Sequence, residues 1–304
     1  MPFHILETES KSILSPVSGF ILEAGFTHSL TPARNCTFGC TYCYVPTMRF
    51  QGGLKKEDWT HWGQFTTVKR NAPELLAKAL RPDQVIYCSP LTDPYQPAEA
   101  EAELMPGILE AVAAKPPAVF TIQTRGPLIL RDLDLIRKVA ARTSLRVGFS
   151  ITTDRDDVRK VFEPHCAPID ERWRTVQLLC GAGIDVSVTL APILPCNPEI
   201  LVSRALATTK GPIVADPFHV RAVKRNGATT REPAHGICRH HGWERWLDPD
   251  YHQEVLQDMK QIANSAGREF GWGPAGFGFL ARPGANAGTS RKHAESDIVG
   301  AVFP

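Results

Sequence analysis

Arg34-Asn35-Cys36-Thr37-Phe38-Gly39-Cys40-Thr41-Tyr42-Cys43-Tyr44 sets three cysteines at the spacing C-x3-C-x2-C. Three thiolates on one short loop suffice for three irons of a cubane cluster. The fourth iron then keeps an open position for a cofactor or a substrate. Gly39 lets the backbone turn tightly and brings an amide toward sulfide. Zinc, or simply three unliganded thiols, is the competing reading. Structural zinc sites combine two CxxC-like pairs, or one such pair and two spaced histidines. Here Cys88, Cys166, Cys180, Cys196 and Cys238 are scattered singly, and the patch His235-Gly236-Ile237-Cys238-Arg239-His240-His241 lies far along the chain. Its spacing fits no standard zinc pattern, so solvated loop histidines are its default reading.

Outward from the cysteine loop, short β-rich runs alternate with helical patterns. The expected strands are 27–30, 84–89, 118–124, 145–151, 185–190 and 213–215. The expected helices are 72–80, 98–114, 129–142, 155–162, 171–182 and 199–207, with Pro106 kinking the second and Gly181 and Gly183 closing the fifth. Such alternation implies βαβ units on a parallel sheet. The fold class is therefore α/β: a partial (β/α)6 TIM-type barrel with an irregular C-terminal extension. The barrel is expected over residues 1–216, with the cluster loop at 34–44. The extension, 217–304, would lie on the substrate side or cover the barrel. It holds a helix expected at 250–263 and a Gly-rich tail that loops back or stays free. Barrels of this kind carry their chemistry on the loops after the strand C-termini.

The 304 residues include 43% hydrophobic and 22% charged side chains, an ordinary globular composition. No apolar run is long enough to span a bilayer, and the acidic N-terminus is no signal peptide. A cytoplasmic protein is expected, in which eight cysteines serve as ligands, reactive thiols or buried apolar groups and not as disulfides. A net charge of +2 neither argues for a nucleic-acid partner nor excludes one.

The C-x3-C-x2-C loop with an aromatic before its last cysteine resembles the signature of radical S-adenosylmethionine (SAM) enzymes. Over roughly Leu30 to Pro195 the chain resembles their spore photoproduct lyase branch. The resemblance implies a [4Fe-4S] cluster on Cys36, Cys40 and Cys43, and SAM on the open iron. It implies reductive cleavage to a 5′-deoxyadenosyl radical for hydrogen-atom abstraction. A reducing electron donor such as flavodoxin or ferredoxin would serve it. Tyr42 would contact the adenine, and Tyr42 and Tyr44 would relay a hydrogen atom; alternatively both simply pack.

The other roles follow the same resemblance. The turn from Ser89 to Asp93 replaces the usual ammonium-binding turn, and a hydroxyl, a carboxylate and carbonyls suit that donor. Arg125 falls where the branch has a cofactor-binding lysine and would grip the methionine carboxylate. Ser150 ends the fourth strand, where ribose hydroxyls bind. The run Glu163-Pro164-His165-Cys166-Ala167-Pro168-Ile169-Asp170-Glu171-Arg172 matches a branch motif, and Arg172 would reach the cofactor carboxylate or lie solvated on its helix. Ala191-Pro192-Ile193 offers carbonyls beside the adenine. Cys88, just before Ser89, is either the hydrogen donor to a substrate radical or a small core residue.

Damaged DNA carrying a pyrimidine photoproduct is one substrate expectation; it would use Arg221, Lys224, Arg225, Arg231, Arg239 and Arg245 as a basic strip. A small metabolite, a peptide or RNA is the alternative. A non-catalytic iron–sulfur or zinc-binding protein is a third.

Overall fold

A computed structural model describes residues 3–48, 53–218 and 232–284. Eleven strands occur among them: β1 (His4–Thr8), β2 (Leu14–Pro16), β3 (His28–Leu30), β4 (Ala33–Arg34), β5 (Phe65–Lys69), β6 (Val85–Cys88), β7 (Val119–Thr124), β8 (Ser144–Ser150), β9 (Val186–Leu190), β10 (Ile213–Ala215) and β11 (Phe270–Trp272). The helices are α1 (Gly19–Glu23), α2 (Lys56–Thr60), α3 (Ala72–Ala79), α4 (Glu99–Ala102), α5 (Leu104–Ala114), α6 (Leu133–Ala140), α7 (Asp156–Phe162), α8 (Ile169–Gly181), α9 (Pro198–Thr208), α10 (Glu232–His240), α11 (Pro249–Ser265) and α12 (Gly273–Ala281).

The main sheet has eight strands in the order β11-β10-β9-β8-β7-β6-β3-β2. All its pairings are parallel except β2 with β3, and β2 and β11 remain as edges, so the barrel is open. The six expected strands are β3, β6, β7, β8, β9 and β10. Their residues are covered on both sides, as parallel strands between layers must be: β9 is buried at every position. Ile86, Phe120, Ile122, Val147 and Phe149 point to an outer layer of helices and join the main core. Tyr87, Thr121 and Val214 point inward, where α12 packs: Tyr87, Val214, Phe277 and Leu280 share one apolar cluster, and Thr121 Oγ1 donates to the Leu280 carbonyl at 2.7 Å.

Two expectations change. The helix expected over 98–114 is broken at Glu103, which sits at φ 49°, so Pro106 falls in the first turn of α5, where its missing N–H costs nothing, and kinks no helix interior. The Gly-rich tail supplies β11, in register with β10, and α12 inside the sheet. A small sheet, β1-β5-β4, was not anticipated; it leads directly into the cysteine loop. No helix among the described residues is long and apolar enough to cross a membrane.

Candidate active site

The cysteine loop is fastened at both ends and in the middle by polar side chains. Asn35 is fully buried at φ 61°, and its amide oxygen accepts from the backbone N–H groups of Cys36 (2.7 Å) and Gly63 (2.9 Å). Its amide nitrogen donates to the His61 carbonyl. Thr37 donates its N–H and hydroxyl to Gln96 Oε1, and the Thr41 N–H reaches the Phe162 carbonyl at 2.9 Å. Gly39 (φ 60°) and Gly63 (φ 88°) meet backbone to backbone: a Cβ on Gly63 would stand 2.7 Å from the Gly39 Cα. Only glycine at that crossing lets the loop lie this close.

The loop forms one wall of a cavity of about 420 Å³ at the C-terminal ends of the parallel strands. Cys36, Cys40 and Cys43 all line it, with Tyr42 and Tyr44 between and beyond them. Ser89 follows β6, Thr124 ends β7 and Arg125 follows it, Ser150 ends β8, Ala191 follows β9 and Asp216 follows β10; each reaches the same space. Burial pushes the Cys36 thiol up, and the backbone N–H groups of Asp93 and Phe38 offset only part of that rise. Two buried polar atoms on the lining, Ser89 Oγ and Gln123 Oε1, have no hydrogen-bond partner among the described residues. The Gln123 amide nitrogen is held by Ser150 Oγ (2.9 Å) and Thr189 Oγ1 (2.8 Å). Buried polar groups are normally paired; the Ser89 hydroxyl can rotate to serve a polar guest, whereas Gln123 Oε1 packs against Gly148.

Behind the loop lies a buried ion network. Glu163 takes Arg125 on one oxygen and Arg172 on the other, each at 2.5 Å. The Tyr42 hydroxyl donates to Glu163 at 2.6 Å and accepts from Arg125, and Thr152 adds a bond at 2.9 Å. Burial alone would raise the Glu163 carboxyl; Arg172 and Arg125 outweigh it and, with Tyr42, hold the group at about 2. Burial holds the Tyr42 phenol well above its ordinary value, so it stays protonated. Arg125 also reaches the Cys40 sulfur at 3.5 Å. Asp93 is engaged as well, accepting from the N–H groups of Tyr95 and Arg125 and from the Thr124 hydroxyl.

Of the residues singled out in the sequence, Cys36, Cys40, Cys43, Tyr42, Tyr44, Ser89, Asp93, Arg125, Ser150 and Ala191 come together on this cavity. Two do not. Cys88 is fully buried in the main core, where its backbone pairs with Leu30 and Ile122; its neighbours Tyr87 and Ser89 take the cavity side. Burial pushes its thiol up, as in an inert core cysteine. The expected hydrogen donor therefore faces the helices. Arg172 is also fully buried, donating to Glu163 and to the Ser150 carbonyl instead of reaching the cavity.

Most of the His235–His241 patch is helical: α10 runs to His240, and His241 stands in the turn that follows. His235 is buried, and Ala234 and Cys238 share an apolar cluster with Cys36 and Cys40. Arg221, Lys224, Arg225 and Arg231 lie outside the described residues; Arg245 is exposed and pairs with Glu254. Sequence reasoning placed Gln123 at a polar strand end without a role, and missed Asn35, Asp216 and the structural part of Glu163. The Glu163-Pro164 motif was visible, but its two arginine partners come from separate elements.

Comparison with known proteins agrees with this geometry. The model of the Radical SAM superfamily matches residues 30–200. An uncharacterised protein of Methanocaldococcus jannaschii is 31% identical over 191 residues, covering 63% of this chain and 68% of that one. An uncharacterised protein of Mycobacterium tuberculosis is 30% identical over 175 residues, and the match spans 56% of this chain and half of that protein. Among solved structures, a spore photoproduct lyase complexed with dinucleoside spore photoproduct aligns with a TM-score of 0.58 at 12% identity, over 88% of this chain and 82% of that one. A spore photoproduct lyase variant with bound AdoMet and the same dinucleoside aligns with a TM-score of 0.55 at 12% identity, over 85% and 80% of the two chains. At that identity the likeness is one of fold. The superfamily uses a [4Fe-4S] cluster and SAM, and three thiols beside the unpaired Ser89 hydroxyl fit both groups. By the family match and by this cavity, the chain belongs to the radical SAM superfamily.

Proposed function

We propose that this protein cleaves SAM reductively and uses the resulting radical to take a hydrogen atom from a nucleic-acid lesion, in the manner of a lyase. The observation that carries the chemistry is the convergence of Cys36, Cys40 and Cys43 with Ser89, Gln123 and Ser150 on one cavity at the strand C-termini. Cys36, Cys40 and Cys43 would hold the cluster, which when bound would supply the one-electron reduction that SAM cleavage requires. The chain's own residues hold and orient. The Ser89 hydroxyl offers hydrogen-bonding capacity to the polar parts of the cofactor, and the Ala191-Pro192 turn offers its backbone to the adenine. Tyr42 lines the cavity with its ring edge fixed, because its protonated phenol is held by Arg125 and Glu163 behind the loop. Tyr44 donates to the Pro90 carbonyl at 3.0 Å and is partly exposed where it lines the cavity.

The fold likeness to a lyase that binds a dinucleoside photoproduct supports a DNA lesion as substrate. The position of Cys88, turned into the core, favours a second reading: radical chemistry on a small metabolite, a peptide or RNA, with no cysteine donor from β6. Anaerobic reconstitution followed by reduction tests the first step. The parent should release 5′-deoxyadenosine, and Cys36→Ala, Cys40→Ala or Cys43→Ala should abolish that release; a triple variant that still cleaves SAM would sink the proposal. Binding to irradiated and intact oligonucleotides over a salt series separates the substrates. Preference for the irradiated strand, weakening steeply with salt, supports the lesion, and equal, salt-insensitive weak binding favours the second reading.

A further inference from the structure

Cys166 is a second thiol beside the cysteine loop, reached from Glu163 across a tight turn. The Cys40 sulfur, a Glu163 carboxylate oxygen and the Cys166 sulfur all lie within 4.8 Å of one another. A soft divalent metal is the obvious occupant of such a triad, and the charge pattern argues against it. Both Glu163 oxygens already face guanidinium groups at 2.5 Å, so a cation there would meet Arg125 and Arg172. The triad makes better sense as a donor arrangement around Cys40. The Cys166 backbone is fixed, its N–H on the Glu163 carbonyl at 3.0 Å and its carbonyl taking Arg159 at 2.9 Å. Its sulfur is buried, does not line the cavity, and shares an apolar cluster with Phe38, Val158 and Phe162.

We infer that Cys166 is a positioning residue that donates its S–H to the Cys40 sulfur and, with Arg125 at 3.5 Å from the same atom, raises the reduction potential of the cluster. This rests on the cluster reading above. Reduction adds negative charge to the cluster, and a donor aimed at a ligand sulfur stabilises that charge. No bond is made or broken, and no co-reactant is needed. The cluster ligands are then unlike in their surroundings, since Cys40 has a second thiol and a guanidinium beside its sulfur.

The test uses the parent, Cys166→Ala and Cys166→Ser, each reconstituted anaerobically, assayed for iron and sulfide, and titrated potentiometrically with the reduced cluster followed by electron paramagnetic resonance. All three should carry the full cluster. The alanine variant should titrate at a more negative potential than the parent, and the serine variant, whose hydroxyl also donates, should recover most of the difference. Parent and alanine variant titrating together would overturn the inference. Loss of the cluster from both variants would overturn it too, by making Cys166 a ligand. A parent that takes up no cluster would instead remove the reading on which the inference rests.

Discussion

Glu163 is the residue on which the buried side of the site depends. With its folded value at about 2 against an ordinary 4.5, it is depressed, so its contribution to stability is complete above 4.5 and fades as pH falls through about 2. Acid unfolding of the parent should show that loss within this window. Glu163→Gln should lack it and be less stable at pH 7 by about 3–5 kcal/mol, because two guanidinium groups stay buried with no counter-charge; urea denaturation at pH 7 and pH 4 measures both effects. Ser89 lies at the opposite extreme. Its hydroxyl has no protein partner, so Ser89→Ala should leave the fold untouched. If that hydroxyl serves SAM, the substitution should weaken binding by about 0.5–1.5 kcal/mol, roughly two- to twelvefold. Isothermal titration of cluster-loaded protein gives the answer, and unchanged affinity removes Ser89 from the cofactor site. Cys88→Ala should cost on the order of 1 kcal/mol and leave the product pattern alone. The cysteine triplet was legible because ligand spacing is local. The direction of Cys88 was not, because a central parallel strand is apolar on both faces and alternation carries no signal there.

At the level of elements, the sequence pattern located the six parallel strands because β-branched runs and helical runs alternate along the barrel. It missed the break at Glu103, since no propensity marks a single left-handed residue inside a helical run. It also missed β1 and β5, a pair joined across more than fifty residues. These missed strands matter for the site. β4 pairs with β5 and enters the cysteine loop, and the turn after α2 brings Gly63 against Gly39. Gly63→Ala should therefore act on the cluster and not only on stability. Its Cβ would press on backbone at 2.7 Å, which gives way far less readily than the end of a side chain, at a cost on the order of 1–3 kcal/mol. The variant should fold, yet hold less iron after reconstitution and lose it faster to a chelator. Full iron content and parental chelation kinetics would show that the crossing of the two glycines is incidental to the loop.

For the whole molecule, the expected division into a barrel over 1–216 and an extension over 217–304 bears on how the barrel is filled. Glycine and aromatic residues at 270–280 carry no amphipathic period, so the tail read as a loop. Its glycines are instead what lets the chain fold back on itself: a Cβ on Gly276 would meet the Gly271 carbonyl oxygen at 2.3 Å, and one on Gly278 would press the Ala24 carbonyl at 3.3 Å. The result is a seventh parallel strand, and a helix whose Phe277 and Leu280 complete the inner core under the cavity. A detachable extension and an integral one differ in their unfolding. Leu280 is fully buried among Tyr87, Val214 and Phe26, with Gly148 beneath it. Leu280→Ala should lower global stability by about 2–5 kcal/mol. The loss should appear as one shifted cooperative transition, seen alike by tryptophan fluorescence and far-ultraviolet circular dichroism. Cluster uptake should weaken with it, because the cavity floor rests on the same helix. If Leu280→Ala instead splits unfolding into two steps and leaves cluster uptake intact, the C-terminal residues form a separate unit and the barrel fills its own interior.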